Sequence, residues 1–170
     1  MNKEIINSVE ALLFGSGRPM RLSEIKNTLE NTGIATELSE IRRAITDLEE
    51  RYFNTSLEVQ EVASGFRLQI KQDHSASLSI LWNEKSPRVS KALMETISII
   101  AYKQPVTRGD IEDIRGIAVN TNIIRTLIEL EWIKVVGHKD SPGKPELFAT
   151  TSKFLDYFNK NTLSELPEIS

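Results

Sequence analysis

The chain has 170 residues, 39% of them apolar and 26% charged, the make-up of a folded globular protein with room for one domain or two small ones. It has no cysteine, which excludes disulfides, thiolate nucleophiles and sulfur-ligated metals together and fits a reducing compartment. The net charge is −3, with 9 basic and 13 acidic residues through Glu84 and 12 and 11 after it, so neither half has the basic excess of a protein built to live on phosphate backbones.

Met1 to Glu10 already carries Glu4 and Glu10, and is expected to be neither a signal peptide nor a transit sequence. The spacing of Ile5, Val9, Leu12 and Leu13 predicts a first helix over 2–14, broken by Gly15-Ser16-Gly17. Pro19 to Leu22 reads as an extended connector. Ser23 is expected to cap a short helix with Ile25 and Leu29 inward, closed by Gly33. Thr36 is expected to cap a third helix with Leu38, Ile41, Ile45, Leu48 and Tyr52 on one stripe. After Asn54 the period drops to 2. Leu57 to Val62 and Phe66 to Ile70, joined at Ser64-Gly65, predict a two-stranded hairpin. Asp73 to Trp82 is read as one more helix, and the stretch around Ser86-Pro87 as a linker, because the residue before proline is pushed away from helix.

The order then repeats. Ser90 caps a helix carrying Leu93, Ile97, Ile100 and Ala101; Gln104-Pro105-Val106 is an extended connector; Thr107 and Asp110 form a capping box for a short helix ended by Gly116. Asn120 or Thr121 opens a third helix with Ile124, Leu127 and Ile128. Strands are expected at 132–137 and 146–150 around a Gly/Pro/Lys loop. The two halves align without gaps from Arg18 to Ile25 and from Gln104 to Ile111, with proline, an apolar residue, an acid and isoleucine in register. Such a period indicates duplication of a whole domain. The predicted fold is therefore mainly α with small β hairpins (α+β): two tandem winged-helix domains, at 1–83 and 90–158, joined by a linker at 84–89 and followed by a tail at 159–170.

Catalytic chemistry finds no support. No phosphate-cradling glycine loop is present, and His74 and His138 lie far apart in sequence with no cysteine to complete a zinc site, so they read as surface histidines. Asp110, Glu112 and Asp113 are better explained as helix-dipole partners in a first turn than as catalysts lacking a converging base. No catalytic, cofactor-binding or metal-binding residue is expected, and no cofactor. DNA reading is the alternative that the helix order raises, as a winged-helix transcriptional regulator. The third helix of the first half is acidic, however, with Glu37, Glu40, Asp47, Glu49 and Glu50 against Arg42, Arg43 and Arg51. In the second half Asn120, Thr121, Asn122 and Arg125, with Lys139 and Lys144 in the loop, could touch DNA, but are equally ordinary caps and solvated charges. Protein binding fits better. The helix from Leu93 to Tyr102 is apolar around most of its circumference, so it must be covered on more than one side. A partner could do that, or the hairpin together with Phe154-Leu155-Asp156-Tyr157-Phe158.

The run Leu93-Met94-Glu95-Thr96-Ile97-Ser98-Ile99-Ile100-Ala101-Tyr102-Lys103-Gln104-Pro105-Val106-Thr107-Arg108, continued by Ile111 to Gly116, Pro142 to Pro145 and Phe148 to Thr151, resembles the segregation and condensation protein B family of bacterial chromosome condensation. Glu10 to Gly17 and Gly65 to Gln69 are similar to it as well. Leu130-Glu131-Trp132-Ile133 departs from the usual pattern before the first wing strand of the second half. The resemblance implies a non-enzymatic accessory subunit in the cytoplasm, associated with the nucleoid. It implies a homodimer formed through the N-terminal domains, and C-terminal domains that grip the kleisin subunit, segregation and condensation protein A, and through it the structural-maintenance-of-chromosomes ATPase. DNA contact would be indirect or weak, and no membrane is involved. Apolar excess beside cationic residues, the make-up of binding hot spots, places the kleisin surface at Ile99, Tyr102, Gln104, Arg108 and Arg115. The dimer face is expected around Ile6 and Leu13.

Overall fold

The structure is a computed structural model that describes residues 3–81 and 89–167. Trp82 and all but the last residue of the expected linker at 84–89 lie outside the described residues. The chain divides into two compact units, Met1–Glu84 with Asn159–Ser170, and Lys85–Phe158.

In the first unit, α1 (Lys3–Gly15), α2 (Leu22–Asn31) and α3 (Leu38–Tyr52) precede a hairpin of β1 (Leu57–Val62) and β2 (Gly65–Ile70), paired antiparallel from Leu57 opposite Ile70 to Val62 opposite Gly65. Each helix turns its apolar stripe inward, so that Val9, Leu13, Ile25, Leu29, Ile41, Ile45 and Leu48 form one core closed by Met20 and Phe66. Full burial of such side chains is worth about 1.5–3 kcal/mol each. Arg51 and the Tyr52 hydroxyl both bind Glu10, tying the end of α3 to α1. Burial and the Glu10 carboxylate hold the Tyr52 phenol above its ordinary range. A 3-10 turn at Gln72–His74 leads into α4 (Ser75–Leu81), whose Ile80 and Leu81 are exposed. Residues 159–167 belong to this unit too: the Lys160 carbonyl accepts from the Ala63 N–H at the hairpin turn.

Gly65 is required by a close approach. Met20 and Phe66 exchange backbone hydrogen bonds at 2.8 and 2.9 Å, which brings the Met20 carbonyl to 2.2 Å from where a Cβ on Gly65 would sit. The same bridge explains why Ser23 does not cap α2. The connector is pinned at Met20, so the helix begins directly after extended Arg21, and its N-cap has no side-chain bond. Thr36 also falls one position short of capping α3. The N-cap is Glu37, whose N–H donates to the Glu40 carboxylate at 2.9 Å, and the buried Thr36 hydroxyl supports that same carboxylate.

The second unit repeats the order: α5 (Lys91–Lys103), α6 (Arg108–Arg115), α7 (Thr121–Glu129), then β3 (Ile133–His138) and β4 (Glu146–Thr150), antiparallel with an irregularity between Val135 and Gly137. Here the expected caps are in place: Ser90 accepts from Leu93, Thr107 and Asp110 form a capping box, and Asn120 accepts from Asn122. Gly116 ends α6 with φ +71°, a left-handed residue that glycine adopts without a Cβ clash. Val106, which aligns with Met20, bridges Phe148 as Met20 bridges Phe66, so the duplication extends to backbone pairing. The two winged-helix arrangements make an α+β fold.

Trp132 is buried rather than in strand, and anchors α8 (Ser152–Tyr157). Its ring lies 4.6 Å from Tyr157 and 5.5 Å from Phe158, centroid to centroid, with Phe154 edge-on. Among the described residues no helix is long and apolar enough to cross a membrane.

Candidate partner-binding groove

The helix that is apolar all round is α5. Leu93, Thr96, Ile97, Ile100 and Ala101 are buried, and α6, α7 and β4 pack against the helix. The wing strand β4 thus covers a second side of α5, and the aromatics of 154–158 surround Trp132. A third stripe stays uncovered. Lys91, Met94, Glu95, Ser98 and Ile99 recur at helical spacing and, with Arg115 from the end of α6, line an open groove of about 530 Å³. Tyr102, 37% exposed, continues the stripe by one turn.

Arg115 is the unusual member. Its side chain is only 6% exposed, its Nη2 donates to Glu95 Oε2 at 3.0 Å, and its Nε is buried with no acceptor. A buried donor left unmet is costly and rare. The groove therefore combines an apolar floor at Met94 and Ile99 with a fixed guanidinium whose hydrogen-bonding capacity is not used up.

Of the residues expected to meet a partner, Ile99 and Arg115 line the groove and Tyr102 stands on its stripe. Gln104 and Arg108 are committed elsewhere. The Gln104 amide joins Thr150 to Ala101, and Arg108 donates to Glu112, to the Thr121 hydroxyl and to the Val119 carbonyl. Glu112 in turn accepts from the Val119 N–H at 2.9 Å. That N–H first, and Arg108 second, hold the Glu112 carboxyl below its ordinary range. Lys139 and the Thr107 N–H and hydroxyl bring Asp110 down to about 2. Asp110 thus ties α6 to the wing through Lys139, and Glu112 ties α6 to the segment before α7. His74 and His138 are exposed, and the described residues contain no cluster of ligands able to hold a metal ion. Met94, Glu95 and Ser98 were not expected at the site. Their signal was available in the i, i+4, i+7, i+8 spacing from Lys91, but it was masked by the apolar residues on every other face.

Ile6 and Leu13 lie in the core of the first unit, 7% and 2% exposed. Among the described residues of α1, the exposed large apolar side chain is Phe14, at 75%.

Comparison with known proteins decides the family. The sequence pattern described as Segregation and condensation complex subunit ScpB matches residues 7–169. The chain belongs to the ScpB family. A Segregation and condensation protein B homolog from Coxiella burnetii is 44% identical over 169 residues, covering 99% of this chain and 79% of that protein. Segregation and condensation protein B of Geobacillus thermodenitrificans is 38% identical over 165 residues, covering 95% of this chain and 76% of its own. A crystal structure of a ScpB N-terminal domain dimer complexed with ScpA peptide is 28% identical, covers 51% of this chain and 100% of that one, and superimposes with a TM-score of 0.42. The ScpB resemblance expected from the 93–116 run is thereby established across nearly the whole chain.

Proposed function

We propose that this chain is a non-enzymatic subunit of a bacterial condensin-type complex, acting on the nucleoid in the cytoplasm. It works as a homodimer through its first unit and holds the kleisin subunit, ScpA, with its second, reaching the SMC ATPase only through that kleisin. The observation that carries this reading is the family match over residues 7–169. The names of the relatives place them in chromosome segregation and condensation. The groove of α5 and α6 supplies a surface suited to the role: apolar at Met94 and Ile99, cationic at Arg115, with exposed Tyr102 one turn further along α5. Aromatic and arginine anchors beside an apolar floor are what binding hot spots are made of. For the dimer, Ile6 and Leu13 shape the first unit from within, and a second copy would meet exposed neighbours such as Phe14.

The DNA-binding alternative loses support in the second unit. Asn120 is occupied as a cap, Lys139 is paired with Asp110 at 2.8 Å, and Arg125 lies 3.5 Å from Glu129. Of the candidate cations Arg125, Lys139 and Lys144, two are thus held by carboxylates, against the several phosphates that a DNA site would present.

Co-expression with the ScpA of the same organism, followed by light scattering of the eluted material, tests the proposal. A stable complex containing two copies of this chain is expected. Separate elution of the two proteins at micromolar concentration would refute it, as would steep, salt-sensitive duplex DNA binding without ScpA.

A further inference from the structure

Arg115 presents a recognition edge that is half used. Nε and Nη2 form the side of the guanidinium that matches the two oxygens of one carboxylate. In the free protein only Nη2 is engaged, by Glu95 Oε2 at 3.0 Å, and Nε has no acceptor. The other carboxylate oxygen, Glu95 Oε1, lies 3.8 Å from the Lys91 ammonium, one helical turn back. The three groups differ sharply in freedom. The Arg115 side chain is fixed at 6% exposure, whereas those of Glu95 and Lys91 are 44% and 93% exposed and can swing. The groove floor beside them is apolar, at Met94 and Ile99. Among the described residues that line the groove, two cations face one anion.

We propose that Glu95 is an intramolecular stand-in for an acidic residue of the kleisin. A segment of ScpA lies along α5 and places one carboxylate on the Nε/Nη2 edge of Arg115, displacing Glu95 toward Lys91. An apolar side chain of the same segment covers Met94 and Ile99. This inference rests on the reading that the second unit binds the kleisin. Its chemistry follows from the charges: with Glu95 turned to Lys91, the incoming carboxylate neutralises Arg115, and both donors of the edge are met. A neutral or basic segment would leave Nε unpaired beneath a closed interface, where the cost is greatest. Lysine cannot replace this arginine, since an ammonium lacks the planar fork.

The test is the anisotropy of labelled, purified ScpA titrated with the full chain at low and high salt, with each variant checked by thermal unfolding. Arg115→Met is expected to weaken binding by about tenfold or more, as loss of a buried charged contact does, and to flatten its salt dependence. Arg115→Lys should recover only part of that loss. Glu95→Gln should tighten binding several-fold, because the competing carboxylate is gone. Ser98→Glu, at a half-buried groove position away from the core, should weaken binding more than Ser98→Gln, which adds similar bulk without charge. If wild type binds ScpA while Arg115→Met and Ser98→Glu bind as tightly, the groove assignment is overturned and the kleisin reading stands. If Glu95→Gln weakens binding, Glu95 is a contact rather than a stand-in and the displacement is wrong. If wild-type protein does not bind ScpA at all, both readings fall.

Discussion

Gln104 and Thr150 are joined twice: the Gln104 Oε1 accepts from the Thr150 N–H at 2.8 Å and from its hydroxyl at 3.1 Å. The same side chain donates from Nε2 to the Ala101 carbonyl at 3.1 Å. It therefore fastens the end of α5 to the end of β4, and a polar residue beside an apolar stripe serves the fold of the second unit. Gln104→Ala should destabilise that unit by about 1–3 kcal/mol, the range for leaving a half-buried partner unmet. Gln104→Glu, which keeps the acceptor oxygen, should cost less. Urea unfolding gives both numbers, and ScpA affinity measured well below the transition should be unchanged by either.

Asp110 predicts a pH dependence of the second unit. Its carboxyl is held down to about 2, first by Lys139 and then by the Thr107 N–H and hydroxyl, and Glu112 is also lowered. Folded-state carboxyls with depressed pKa bind fewer protons than unfolded ones, so stability rises with pH across the window between the two values and is lost on acidification. The contribution of Asp110 is fully present above the ordinary carboxylate range near 4 and fades as pH falls toward about 2. Unfolding midpoints of wild type and Asp110→Asn should differ most near neutrality and converge as pH falls toward about 2. A difference that grows on acidification would contradict the assignment.

Gly65→Ala should damage the first unit selectively. A Cβ there would sit 2.2 Å from the Met20 carbonyl oxygen, and φ is +127°, outside the range of L side chains. The loss should exceed about 1 kcal/mol, because backbone rather than a flexible side chain must give way. Hydrogen exchange at Met20 and Phe66, the two residues of the bridge, reads the loss directly. Gly15→Ala, at a position with nothing within 4 Å, is the control and should be close to neutral.

The duplicated order, the hairpins and most caps were legible because they rest on local rules: period, turn chemistry and an oxygen-bearing side chain before a helix. Even the Met20 and Val106 alignment carried through to matched bridges with Phe66 and Phe148. Ser23 and Thr36 failed as caps for a tertiary reason, since a pinned connector and a Glu37–Glu40 box moved the helix starts by one or two residues. The groove was only partly legible. Composition singled out α5, but it could not separate Ile99 and Arg115, which line the groove, from Gln104 and Arg108, whose polar groups are consumed by Thr150 and Val119. Nor could it show that Ile6 is buried. A stripe of apolar residues on a first helix serves a core or a partner equally well until its neighbours are placed.

The proposed kleisin surface is the stripe of α5 together with the end of α6. Hydrogen exchange of the full chain, alone and with saturating purified ScpA, tests it most directly. Slower exchange is expected in 91–103 and 111–119, with β3 and the loop that follows it unaffected. Protection confined to the first unit, or to the β3–β4 wing, would contradict the assignment.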